Sequence, residues 1–252
     1  MTSMKSIEIE VCATSIMSAM AAEIGGAKRI ELCDNIAEGG TTPSAGMIKL
    51  CKQILNLDVC ILLRPRGGDF LYNDIEFELM KQDIITAKEL GADGIVTGIL
   101  TPDGLVDMAR MQQLIDLIHP MEVVFHRAFD MTSDPHKALI QLIDLKVDRL
   151  LTSGQKNTAL EGASLIRKLV EQSDGRIDIM PGSGINTNNF AEIKKLIHAR
   201  DFHLTGRSPV ASQMEYKSDE VVLNSFGHHE DFQWLETDSD IVSEIVRQSK
   251  IE

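Results

Sequence analysis

Gly26-Ala27-Lys28-Arg29-Ile30 recurs in altered form as Gly91-Ala92-Asp93-Gly94-Ile95 and as Lys146-Val147-Asp148-Arg149-Leu150. Each stretch stands where an amphipathic run stops and a β-branched, apolar run begins, the pattern of a helix end followed by a strand. Arg29 and Gly94 are 65 positions apart, and Gly94 and Arg149 are 55 apart, room for two strand–helix units per step. Working outward, strands are expected at 6–13, 29–34, 59–65, 94–99, 122–128, 148–153, 176–180 and 201–206. Helices lie between them, clearest at 75–90 and 134–145. Alternating strands and helices imply right-handed crossovers and a parallel sheet. Eight units use the chain to about residue 207, and 252 residues match the roughly 250 of a (β/α)8 barrel. The expected fold class is therefore α/β, a single-domain (β/α)8 TIM barrel. An open doubly wound sheet is the alternative.

Residues 1–207 are read as the barrel core, and 208–252 as a long acidic loop plus the last helix of the same domain. The loop, 208–237, is the least regular stretch and contains Gly227-His228-His229. A helix is expected at 238–250, from Ile241, Ile245 and Val246. The net charge of −13 argues against a nucleic-acid partner, because phosphate backbones attract basic surfaces. No run of 18 apolar residues is present, so no membrane span is expected. Met1-Thr2-Ser3-Met4-Lys5 leads into Ile7-Glu8-Ile9-Glu10 without the apolar stretch of a secretion signal. Cys12, Cys33, Cys51 and Cys60 show no disulfide-like spacing, so reduced thiols in the cytoplasm are expected.

Parallel strands covered on both faces usually read as unbroken apolar runs. Here Glu8 and Glu10 stand on the first strand and Glu31 on the second. The third ends Arg64-Pro65-Arg66-Gly67-Gly68-Asp69, and the fifth ends His126-Arg127-Ala128-Phe129-Asp130. The sixth ends Thr152-Ser153-Gly154, and the eighth carries His203, Thr205 and Arg207. Side chains two apart share a face, so Glu8, Glu10 and Cys12 point one way, as do Glu31 with Cys33 and Arg64 with Arg66. Buried carboxylates without partners cost several kcal/mol, so these groups must pair or bind something. They could form a neutralised Glu–Arg network that only packs the barrel, or a site at the strand ends where barrel enzymes place theirs. Two glycine-rich turns, Pro181-Gly182-Ser183-Gly184-Ile185 and Thr205-Gly206-Arg207-Ser208, fall in the last two units, where barrels often hold phosphate.

Read together, Arg29-Ile30-Glu31-Leu32-Cys33, Glu38-Gly39-Gly40-Thr41-Thr42-Pro43-Ser44, Arg64-Pro65-Arg66-Gly67-Gly68-Asp69-Phe70 and Phe125-His126-Arg127-Ala128-Phe129-Asp130 form an ordered set of motifs. Leu151-Thr152-Ser153-Gly154 and Met180-Pro181-Gly182-Ser183-Gly184-Ile185 extend it. Over roughly residues 6–207 the sequence closely resembles the CutC family, named copper homeostasis proteins. The resemblance implies a (β/α)8 barrel, a cytoplasmic location, frequent homo-oligomers and a role in copper binding and tolerance. Ser183 stands where a third glycine is expected, and Thr205-Gly206-Arg207 replaces a Ser-Ala-Arg-like turn.

Two functions fit. One is copper(I) binding, since soft Cu(I) prefers thiolates and adjacent strands would bring Cys12 and Cys33 together as metal ligands. The other is an isomerase or lyase acting on a small anionic or phosphorylated metabolite. Arg64, Arg66 and Arg207 would hold the anion, His126 or Glu10 would act as general base, and Asp130 or Glu31 would tune it. Ser153 would donate a hydrogen bond, and Gly182, Ser183, Gly184 and His203 would line the ligand. A hard divalent ion on Glu8, Glu10, His126 and His203 is a further reading. No organic cofactor is evident.

Overall fold

The computed structural model describes residues 6–218, 220 and 231–251. The expected Gly227-His228-His229 lies outside the described residues. Eight parallel strands run β1 Glu8–Ala13, β2 Arg29–Leu32, β3 Asp58–Leu62, β4 Gly94–Thr97, β5 Glu122–Phe125, β6 Arg149–Thr152, β7 Asp178–Pro181 and β8 Asp201–Leu204. Their hydrogen-bonded order is β7-β6-β5-β4-β3-β2-β1-β8. β7 and β8 pack side by side without a ladder, so the barrel's seam falls between them.

The strands alternate because a barrel has two different insides. On β1, Ile9, Val11 and Ala13 join the apolar layer under the helices, while Glu10 and Cys12 face the barrel axis. Cys60, Leu62, Val96, Val124, Leu151 and Met180 complete a smaller apolar cluster around that axis.

The outer ring comprises α1 Ile16–Ile24, α2 Ala45–Ile54, α3 Asp74–Glu89, α4 Met108–Ile118, α5 Pro135–Asp144, α6 Ala163–Ser173, α7 Phe190–Ile197 and α8 Ser239–Ser249. Their starts are written in the sequence. Ser15, Ser44, Asp107, Asp134 and Asp238 accept backbone N–H groups of the first turn, and Asn73 with Glu76 closes a capping box. α8 packs against α7, α1 and β1 and so closes the ring of helices.

One expectation for the tail is corrected. The stretch 208–237 is not simply irregular, for β9 Arg207–Ala211 pairs antiparallel with β10 Gln233–Thr237. Its order comes from tertiary anchors: Thr237 N–H donates to Ser18 Oγ at 3.1 Å, and Thr237 Oγ1 donates to the Thr205 carbonyl at 3.0 Å. The anchors lie far away in the chain, so periodicity could not reveal the hairpin.

Candidate functional site

The amino-terminal half of the barrel interior is an ion network. Arg29, 2% exposed, donates from Nε to Glu10 Oε2 at 2.8 Å and from Nη1 to Glu8 Oε2 at 2.9 Å, and its Nη2 pairs with Asp201. Arg149 donates to Glu122 at 2.7 Å and to the Cys60 sulfur at 3.6 Å. Gly94 leaves the space for that sulfur, since a Cβ there would lie 2.8 Å from it. This is the neutralised Glu–Arg network, built on Arg29 and Arg149. The parity that placed Glu31 on the axis also places Arg29, two residues earlier, and was the signal for it.

Glu10 is therefore corrected as a general base. Its second oxygen lies 2.8 Å from His203 Nδ1, so both oxygens are engaged beneath the carboxyl end of the barrel. Burial opposes its charge. The His203 hydrogen bond and the fields of His203, Arg29 and Arg149 outweigh it and bring the carboxyl down to about 2. His203 is held as imidazolium despite burial by Cys12, Glu10 and Glu31.

Above this network lies a cavity of about 380 Å³ at the carboxyl ends of the strands. Glu31, Arg64, His126, Ser183, Gly184, His203, Arg207 and Cys12 line it. The walls between them are apolar: Ile36, Leu62, Phe70, Leu151, Ile185 and Leu204. Phe70 was not foreseen as a site residue. Its ring lies 4.9 Å from that of His126, and the Arg64 guanidinium stands 5.1 Å over it.

Arg64 is a loop brace as well as a lining residue. It donates to the carbonyls of Glu38 and Gly40, each at 2.7 Å, and of Gly68 at 2.8 Å. Gly40 has φ +90°, and a Cβ there would meet Leu62 at 2.6 Å, so only glycine lets this loop close over the thiols. His126 accepts the Ala128 N–H on Nδ1 at 3.2 Å, which leaves the proton on Nε2. Burial and then the charge of Arg64 lower its pKa to about 3, so it is a neutral donor rather than a base poised near neutrality. Burial first, with Glu10 adding, pushes the Glu31 carboxyl up to about 7 against the pull of His203.

Besides Glu10 and Cys33, four expected residues are not among those lining the cavity. Arg66 turns outward to Glu76 at 2.6 Å and Asp69 at 3.0 Å, which corrects its placement as an anion ligand. Asp130 is consumed by Arg127, Thr152 and the Ser153 backbone N–H, and the single Ser153 hydroxyl hydrogen lies within reach of both Asp130, at 2.9 Å, and the Lys156 carbonyl. They tie the β5 and β6 loops together instead of facing a ligand. Gly182 packs at the seam, where a Cβ would meet Leu151 at 2.5 Å and His203 at 3.3 Å. Nor does a Glu8–Glu10–His126–His203 ion site form: Glu8 pairs with Arg29 in the lower network, while His126 stands at the mouth. Glu10, Glu31 and His203 do converge, with ligand atoms within 4.8 Å of one another.

Cys12 Sγ, which lines the cavity, lies 3.3 Å from the Sγ of Cys33, the buried residue that follows β2. Glu31 offers a carboxylate oxygen within 4.8 Å of both. The Cys33 hydrogen bond, then burial, raise the Cys12 thiol well above its ordinary range, so Cys12 is held protonated. Cys51 and Cys60 are also buried and free, but neither belongs to a cluster of ligating groups among the described residues.

Comparison with known proteins gives a consistent relationship. Residues 7–208 match the family model described as CutC family. A CutC family protein of Parabacteroides distasonis is 47% identical over 235 residues, 93% of this chain and 97% of that protein. The human copper homeostasis protein cutC homolog is 48% identical over 217 residues, 86% of this chain and 80% of that protein. The crystal structure of CutC from Streptococcus agalactiae superposes with a TM-score of 0.76 at 38% identity, covering 79% of this chain and 98% of that one. Phosphoribosylanthranilate isomerase from Pyrococcus furiosus, at TM-score 0.55 and 14% identity over 97% of this chain and 98% of that one, shares the fold alone.

Proposed function

The chain belongs to the CutC family of copper homeostasis proteins, and we propose that it serves copper homeostasis by binding copper(I) at the Cys12–Cys33 pair. One observation carries this reading: two buried thiols 3.3 Å apart, Cys12 of the pair lining the cavity, with Glu31 beside them. Thiolate sulfur selects Cu(I) over the hard divalent ions, and a buried, mostly apolar surround suits an ion that sheds its water. Both thiols must lose protons to bind, so copper uptake releases protons. A cytoplasmic setting is supported by four free cysteines, which suit a reducing compartment, and by the absence among the described residues of any helix able to cross a membrane. Arg66, one of the arginines expected to hold a substrate, turns away from the cavity, and Glu10 is tied into the ion network, so binding is the better supported role.

Anaerobic titration with Cu(I) against a chromophoric chelator tests this reading. One ion per chain is expected, retained in Cys51→Ser and lost in Cys12→Ser/Cys33→Ser. Unchanged affinity in the double variant overturns it.

A further inference from the structure

The cavity above the thiols holds more positive charge than the copper reading requires. Arg64 is 5% exposed, yet its three hydrogen bonds all go to neutral carbonyls, and it forms no ion pair with a described carboxylate. Arg207 forms neither an ion pair nor a side-chain hydrogen bond among the described residues, and its Nε is buried without a partner. The Nε of Arg64 and Nε2 of His126 are likewise buried and unpartnered. By its tautomer, His126 Nε2 is also a donor. Three unmatched donors, two of them cationic, thus belong to residues lining one cavity in a chain whose net charge is −13. Of the other charged groups facing it, Arg127 is paired with Asp130 and His203 with Glu10, while Glu31 stands 3.9 Å from His203 with its Oε2 buried and without a hydrogen bond. Arg64 is buried and Arg207 part-buried with its Nε enclosed, and a desolvated charge without a counterion is costly, so the pair marks a place where a ligand supplies the missing charge.

The scaffold holds this arrangement in place. Gly206 has φ +55°, Asp238 N–H donates to its carbonyl at 2.8 Å, and Arg207 pairs with Thr237 in the β9–β10 hairpin. After the adjacent strand β7, across the seam from β8, stand Ser183 and Gly184, at φ +78° and +73°. The remaining walls are apolar, and about 380 Å³ lies within the range of small-molecule pockets.

We infer that the mouth cavity binds a small organic anion, with its oxyanion head in the field of Arg207 and Arg64 and its body against Phe70, Leu151 and Ile185. The head is a phosphate or a carboxylate; both satisfy the same donors. This site lies above the dithiol and is independent of the copper reading.

The test is a two-dimensional amide NMR titration of the full chain at constant ionic strength, with inorganic phosphate in one arm and acetate in the other. At least one probe is expected to shift the amides of Gly184 and Gly206 saturably. Arg207→Gln should weaken the fitted Kd tenfold or more, while Arg66→Gln, which lies outside the cavity, should leave it within twofold. Cys12→Ser/Cys33→Ser should retain the binding, which separates this site from the copper site. Saturation by neither probe overturns the inference. So does an Arg207→Gln chain that binds as tightly as the parent, or equal loss in Arg66→Gln.

Discussion

Glu10 and Arg29 are partners across the β1–β2 pairing, Oε2 to Nε at 2.8 Å, with the carboxylate wholly buried and the guanidinium 2% exposed. Arg29 also holds Glu8 and Asp201, so one cation balances carboxylates from both strands of the β8–β1 pair. Glu10 in turn binds His203, which reaches the cavity. The ion network below and the cavity above are thus joined through one carboxylate.

Replacing Arg29 by Met leaves three carboxylates facing a barrel interior without their principal cation. Removing one partner of a buried pair costs about 3–5 kcal/mol, because the remaining charge stays desolvated. Urea denaturation followed by far-UV circular dichroism should show that loss for Arg29→Met. A change under about 1 kcal/mol would mean that the carboxylates are neutralised by other means.

Glu31 predicts a pH dependence of its own. Its pKa rises from the ordinary 4.5 to about 7 on folding, chiefly through burial. A raised value means that its contribution to stability is complete below about pH 4.5 and is lost as pH climbs through 7. Glu31→Gln should remove that loss. Denaturation of parent and variant at pH 5 and pH 8 checks it; equal pH sensitivity in the two chains would contradict the burial of this carboxyl.

His126 acts in the opposite sense. Its pKa falls from 6.5 to about 3, through burial and the charge of Arg64. The neutral ring's contribution is therefore present above pH 6.5 and lost as pH drops toward 3. In His126→Gln that share of the acid sensitivity should vanish, while the loss tied to Glu10, between 4.5 and about 2, remains. Acid titration of the circular dichroism signal in both chains distinguishes the two windows.

Lys146 offers a stabilising substitution. It has φ +58° and is exposed, and the matching positions of the repeat, Gly26 and Gly91, both stand at φ +84°. A non-glycine residue in the left-handed region costs about 1–2 kcal/mol, partly offset by the chain entropy that glycine loses. Lys146→Gly should raise the unfolding free energy by about 0.5–1 kcal/mol in urea. A loss of stability would show that the Lys146 side chain contributes more than its backbone strain takes away.

Much of this was legible beforehand, for identifiable reasons. All eight barrel strands and the helices at 75–90, 134–145 and 238–250 follow from local periodicity and from caps such as Asn73 with Glu76. Parity put Glu10, Cys12 and Glu31 on the axis. Parity does not say how far along that axis a side chain reaches, so Glu10 was placed at the mouth although it pairs one level down. Arg66 misled for a related reason. It follows the end of β3, where strand alternation no longer applies, and Glu76 from the start of α3 draws it outward.

Local pattern alone determined the eight-fold alternation of strand and helix and the inward face of each strand, because both depend only on neighbours within a few residues. Tertiary structure decided which charges cancel. Arg29 meets Asp201 across 172 positions, His203 meets Glu10 across 193, and Arg64 donates to carbonyls of two loops while Arg207 is left unmatched among the described residues. Coulomb and hydrogen-bond energies depend on separation in space, and closing a barrel brings together strands that the chain keeps far apart.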